Sequence, residues 1–111
     1  MNGTSPAPNA VAVIGMAGRF PGADSVSDYW DNLRSGAESI TTLTPETLRA
    51  AGIDDEVLAN PAYVRRAPIL RGVEEFDADF FGFSPQAARM TDPQHRLFLQ
   101  TAWHALEDAG C

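Results

Sequence analysis

An α/β fold is the expectation for this 111-residue sequence, and three observations carry it. Val11, Ala12, Val13 and Ile14 form an unbroken apolar run that stops at Gly15. Such a run suits a strand covered on both faces, as in a sheet sandwiched between helices. Further on, Val26, Tyr29, Trp30 and Leu33 recur at i, i+3, i+4 and i+7, the stripe of an amphipathic helix. Finally, Asp92-Pro93 opens and Gly110 closes the last stretch, the start and stop signals of one long helix.

The elements follow in order. Residues 1–10, MNGTSPAPNA, mix Pro, Ser, Gly and Asn without period and read as a flexible linker. The strand at residues 11–14 leads into a loop carrying Gly18, Pro21 and Gly22. Ser25 is placed to cap the first helix, with Asp28 three residues on completing a capping box and Gly36 ending the run. The same grammar recurs on a smaller scale, with Thr44 as cap, Pro45 at the first helical position and Gly52 after the last turn.

Pro61, Pro68 and Pro85 then interrupt a stretch whose aromatics keep no period. Extended segments are predicted at residues 63–66 and 69–70, followed by a turn that carries Phe76, Phe80, Phe81 and Phe83 into the core. The closing helix runs from Pro93 to about Ala109. Its stripe is Leu99, Ala102, Trp103 and Leu106, widened almost all round by Leu97, Phe98, Ala105 and Ala109. A helix apolar on several sides belongs inside a larger body.

Apolar residues at 44% and charged residues at 21% place the chain among globular domains and not among disordered ones. The net charge of -7 comes with no lysine and no cluster of arginines, which argues against nucleic acid as a partner. The single cysteine, Cys111, excludes an intramolecular disulfide or a cysteine-based zinc site and fits a reducing, cytoplasmic setting. No basic leader with an apolar stretch and no apolar run of about 18 residues is present, so neither export nor a membrane is expected.

Several residues invite a chemical reading. Gly15, Gly18 and Gly22 follow a predicted strand, but dinucleotide binding needs G-x-G-x-x-G opening directly into a helix, and Pro21 stands in the way. A phosphate loop needs a lysine. The glycines are therefore expected to let a buried strand turn sharply. His95 and His104 lie nine residues apart on the last helix. At about 100° per residue that is about 900°, which puts them on opposite faces. They cannot share a metal or a proton relay within the chain, and His104 has Asp108 as an i+4 neighbour. Asp92 is first of all a cap, and Arg96 is placed to reach a carboxylate such as Asp92 at i-4. Cys111 follows the negative end of a helix, where nothing activates a thiol. No catalytic residue, cofactor-binding residue or metal ligand is assigned.

Four stretches, VAVIGMAGRFPGA, DYWDNLRSG, YVRRAPILRGVEEFDADFFGFSP and MTDPQHRLFLQTAWHALEDAG, occur in an order that resembles the start of the ketosynthase domain of modular polyketide synthases. These are β-ketoacyl synthases of the thiolase superfamily. The resemblance covers nearly everything after residue 10. There are departures: Ala87 stands where the family usually has Glu, and Trp103-His104 where Trp-Glu is common. The form DPQHRLFL, with His95 in place of a second Gln, is similar to ketosynthases of hybrid peptide-polyketide lines.

The resemblance implies an N-terminal fragment, residues 11–111, of a thiolase-like α/β/α/β/α sandwich, with residues 11–15 as its first strand and the closing helix as one of its covering helices. For the complete domain it implies decarboxylative Claisen condensation of acyl and malonyl-type thioesters. The family's catalytic Cys and two His lie beyond the DPQ helix, and no position here matches them. Phosphopantetheine would be presented by a partner acyl carrier protein domain, with no cofactor bound directly. The remainder of the ketosynthase domain and a homodimeric assembly complete the implied partners. The alternatives are a non-catalytic interaction or linker piece of a megasynthase and a truncated fatty-acid β-ketoacyl synthase homologue. Because a doubly covered strand needs neighbours, the isolated chain is expected to be unstable or partly folded.

Overall fold

The structure is a computed structural model that describes Gly3 and residues 7–111. Half of the predicted linker, residues 1, 2 and 4–6, lies outside the described residues. The chain divides into two compact units, one of Met1–Ala17 with Ala78–Cys111 and the other of Gly18–Asp77.

Near the start of the second unit, the backbone of Phe20 exchanges hydrogen bonds with Ala23 across Pro21 and Gly22 (2.8 and 3.0 Å). Helix α1, Val26–Ser35, starts where Ser25 Oγ accepts from the Asp28 amide at 3.1 Å. It ends at Gly36 in the left-handed conformation (φ 69°), with Gly36 N–H on Leu33 O and Ala37 N–H on Asn32 O. This is the paired closure that satisfies the last carbonyls of a helix. Strand β1, Ile40–Thr42, pairs antiparallel with β2, Arg66–Pro68, in the register Ile40↔Pro68, Thr41↔Ala67 and Thr42↔Arg66. Each is an edge strand, which is where a proline such as Pro68 is tolerated. Glu38 and Arg66 tie the sheet's end with a 2.6 Å ion pair.

Helix α2, Pro45–Ala50, follows the predicted cap, with Thr47 N–H donating to Thr44 Oγ1. It buries Leu48, 6% exposed. Helix α3, Asp55–Ala59, was not anticipated, and Arg49 of α2 reaches Asp55 at its start (2.6 Å). Its five residues are too short to show a period. In place of the two extended segments expected at 63–66 and 69–70 there is one strand, which shares Arg66 with the first and stops short of the second, because the pairing partner at Ile40–Thr42 selects residues 66–68.

In the first unit, residues 78–82 form a turn with Gly82 at φ 73°, closed by Phe83 N–H on Ala78 O. The turn exists as expected, but Phe80 is 54% exposed and packs edge-on against Phe81 and Trp103 (centroids 4.9 and 4.8 Å) rather than entering a core. Helix α4, Pro85–Met90, was also unanticipated, although Ser84-Pro85 repeats the cap-proline grammar of Thr44-Pro45 and Ser84 Oγ accepts from Ala87 N–H. Helix α5, Pro93–Ala109, matches its expected bounds, with Asp92 Oδ1 accepting from Gln94 N–H and Gly110 left-handed at φ 76°.

One element is corrected outright. Residues 11–14 form no strand among the described residues, and Val11, Val13 and Ile14 are 93%, 77% and 70% exposed. The β-branched run has nothing to pair with, so the propensity is present without the ladder that would express it. The stripes of α1 and α5 are likewise uncovered: Trp30, Leu33, Phe98 and Leu106 all stay exposed. Among the described residues only Ala23, Leu48 and Ala88 are buried hydrophobics.

Candidate functional site

The residues that invited a chemical reading lie mostly on or against α5. His95 occupies its first turn, exposed, and His104 stands nine residues on, also exposed. The helix rise of about 1.5 Å per residue separates them by roughly 13 Å along the axis, on opposite faces. His104 Nδ1 lies 3.2 Å from Glu107 Oε2, one turn ahead. The expected i+4 neighbour, Asp108, is instead engaged by the chain's first segment, accepting from the Met16 amide at 2.9 Å. The imidazole is thus paired with the i+3 carboxylate and not with the i+4 one.

Arg96 differs from expectation too. The Asp92 carboxylate is occupied by the Gln94 amide (2.8 Å), and the Arg96 guanidinium turns away to donate from Nη1 to the Ala88 carbonyl at 3.0 Å. Ala88 belongs to the last turn of α4, where helix carbonyls lack internal partners and a cation is favoured. Arg96 is thus a brace between two helices. No local signal in the sequence points to that carbonyl, because the contact spans a helix-to-helix turn.

Gly15 serves close packing and not a sharp turn. A Cβ at this position would stand 2.6 Å from Ala105 O, 2.7 Å from Ala109 N and 2.8 Å from Ala109 Cβ. Only a glycine lets the backbone approach α5 this closely. Gly22, at φ 75°, does make a turn, and its carbonyl accepts from Asn32 Nδ2 at 2.9 Å. No helix begins near Gly15 or Gly18, and α1 starts only at Val26. The segment therefore has no helix N-terminus at which a phosphate would be held.

Cys111 is exposed, and its amide donates to Leu106 O at 3.0 Å, closing α5 together with Gly110 N–H on Glu107 O. It sits at the carbonyl end of a helix, the opposite of the environment that activates a thiol. Among the described residues no group of three or more His, Cys, Asp or Glu is placed to hold a metal ion. Among them, too, no helix is long and apolar enough to cross a membrane. The arrangement caps and braces helices, and does not converge His95, His104 and Cys111 on one point.

Comparison with known proteins gives this geometry its context. The family described as beta-ketoacyl synthase, N-terminal domain, matches residues 8–111. The chain is 70% identical over 102 residues to one component of the phenolphthiocerol/phthiocerol polyketide synthase of Mycobacterium tuberculosis, covering 92% of this chain and 7% of that protein. Among solved structures, ketosynthase twelve of the bacillaene polyketide synthase of Bacillus amyloliquefaciens superposes with a TM-score of 0.76 at 40% identity, over 86% of this chain and 17% of that one. The ketosynthase from module 1 of the bacillaene synthase of Bacillus amyloliquefaciens FZB42 gives 0.73 at 44% identity, over 89% and 17%. The unpaired segment at residues 11–14, the uncovered helices and the scattered His and Cys are what the opening portion of a much larger α/β domain presents. The chain belongs to the β-ketoacyl synthase family, and its residues correspond to the N-terminal part of a polyketide synthase ketosynthase.

Proposed function

We propose that this chain contributes the N-terminal part of a ketosynthase domain that extends a polyketide by decarboxylative Claisen condensation. In that reaction an acyl group is held as a thioester on an active-site cysteine. Loss of CO2 from a malonyl-type thioester generates an enolate, which forms the new C–C bond and releases the cysteine thiolate. Donors aimed at the developing oxyanion lower the barrier. The substrates arrive on phosphopantetheine carried by an acyl carrier protein domain, and the complete domain works as a cytoplasmic homodimer. The observation that carries the reading is the 70% identity over 102 residues to a mycobacterial polyketide synthase.

In this reading none of the chain's own residues performs the chemistry. His95, His104 and Cys111 keep structural places, and the nucleophile and its two histidines come from the remainder of the domain. A chimera tests the reading, with this chain replacing the matching 102 residues in the ketosynthase of the Mycobacterium tuberculosis relative. Condensation of a carrier-bound acyl chain with a malonyl-type extender is expected to persist, and a folded but inactive chimera would count against it. The 111-residue chain alone, incubated with an acyl pantetheine thioester, is expected to show no acyl adduct by intact mass. An adduct on Cys111 would overturn its inert assignment and revive an independent role for the piece.

A further inference from the structure

We infer that Arg19 is a latch: its guanidinium joins the two ends of residues 18–77 and makes that stretch open and close as one cooperative unit. The inference does not depend on the ketosynthase reading, because every contact it uses lies within the stretch itself.

Gly18–Asp77 is one of the two compact units, and Arg19 is its second residue. From there Arg19 Nη2 donates to the carbonyl of Arg71, 52 positions on. That acceptor opens a turn in which Gly72 is left-handed (φ 67°) and the Glu75 amide donates to the Gly72 carbonyl at 3.1 Å. A Cβ on Gly72 would lie 3.0 Å from Arg19 Nη2 and 3.2 Å from Glu75 Oε2. A cation and a carboxylate therefore meet over the one residue of the turn that has no side chain. A half-buried guanidinium with a carbonyl and a carboxylate at hand makes a stronger tie than a neutral hydrogen bond.

The residue next to the latch holds α1. Phe20 stacks on Tyr29 with ring centroids 4.1 Å apart, and its ring lies 2.6 Å from where a Cβ on Gly18 would stand. Between the ends, Asn32 donates to Gly22 O, Leu43 N–H donates to Arg65 O, and β1 pairs with β2. These ties run in series from Arg19 through α1 and the sheet and back to Arg71. Within the stretch only Ala23 and Leu48 are buried hydrophobics, so little apolar burial holds it shut. Closing so long a loop costs chain entropy, and the contact that joins its ends sets how readily the whole stretch opens.

Amide hydrogen exchange of the 111-residue chain, read by mass spectrometry, tests the latch. Arg19→Met removes the donor and keeps most of the side chain's length. Exchange in α1, β1 and β2 is expected to speed up together, by about tenfold or more, the equivalent of one hydrogen bond from a charged group. Exchange in α5 should not change. Gly72→Ala should give the same pattern from the other end, since it crowds the guanidinium and strains a left-handed position. Arg49→Ala removes an ion pair to Asp55 inside the stretch and should affect α2 and α3 alone. The inference is overturned if α1, β1 and β2 are unprotected in the unaltered chain or keep their protection in Arg19→Met. It is overturned equally if the loss is confined to residues 71–75, if it extends to α5, or if Arg49→Ala reproduces it.

Discussion

Gly15 packs directly on Ala109: a Cβ on the glycine would come within 2.7 Å of the Ala109 amide nitrogen and 2.8 Å of its Cβ. Such distances are below any real carbon contact, and the obstructing atoms are helix backbone and a Cβ fixed to it, neither of which can swing aside. Gly15→Ala should therefore push the segment off α5, at the roughly 1–3 kcal/mol typical of overpacking. The adjacent hydrogen bond from Met16 N–H to Asp108 should open with it. Amide exchange at Met16 measures this directly, and unchanged protection in the alanine variant would show that the segment adapts.

Arg96 joins α4 to α5 through the Ala88 carbonyl. A six-residue helix cannot persist on its own hydrogen bonds, so α4 depends on such braces. Arg96→Ala is expected to cost on the order of 1.5 kcal/mol, the lower end for a charged donor on a carbonyl. Exchange protection should fall across Ala87 to Thr91, while the middle of α5 stays protected. Arg96→Lys should recover only part of it, because a lysine lacks the planar fork that reaches sideways.

Asp92 caps α5 by accepting from the Gln94 amide. Asp92→Ala should remove about 1 kcal/mol of helix stability, seen as fraying of the first turn by NMR chemical shifts. Asp92→Ser should retain most of the effect, and His95, which has no part in the cap, should tolerate substitution by Gln at no measurable cost.

Glu46 in the first turn of α2 is held below the usual 4.5 of a glutamate, first by its hydrogen-bonded backbone amide, then by the Thr44 hydroxyl, with Arg49 assisting. A depressed carboxylate contributes stability that is present above its unfolded value and is lost as pH falls through the folded one. The α2 turn should accordingly loosen below pH 4.5 and not at neutral pH. A side-chain NMR titration checks the sign: a Glu46 midpoint at or above 4.5 would contradict it.

The sequence by itself determined those parts of the protein whose hydrogen bonds close within a few residues. Ser25 with Gly36, Thr44 with Gly52 and Asp92 with Gly110 bound α1, α2 and α5 as expected, because a cap and its helix end are neighbours along the chain. Ser84-Pro85 carried the same signal for α4 and was hidden by the irregular aromatics before it. The family was legible for a related reason, since its motifs are contiguous strings.

Tertiary structure decided everything that reaches across the chain. The choice of residues 66–68 as β2 was made by the earlier strand, through the Ile40↔Pro68 register. Asp108 accepts from Met16, 92 positions away, while His104 pairs with Glu107, and the Arg96 guanidinium reaches Ala88 and not Asp92. Residues 11–14 show the limit most plainly. Their composition specifies a strand, but a strand exists only through its neighbours, and its hydrogen bonds and both apolar faces must be met by chain that lies elsewhere in the fold.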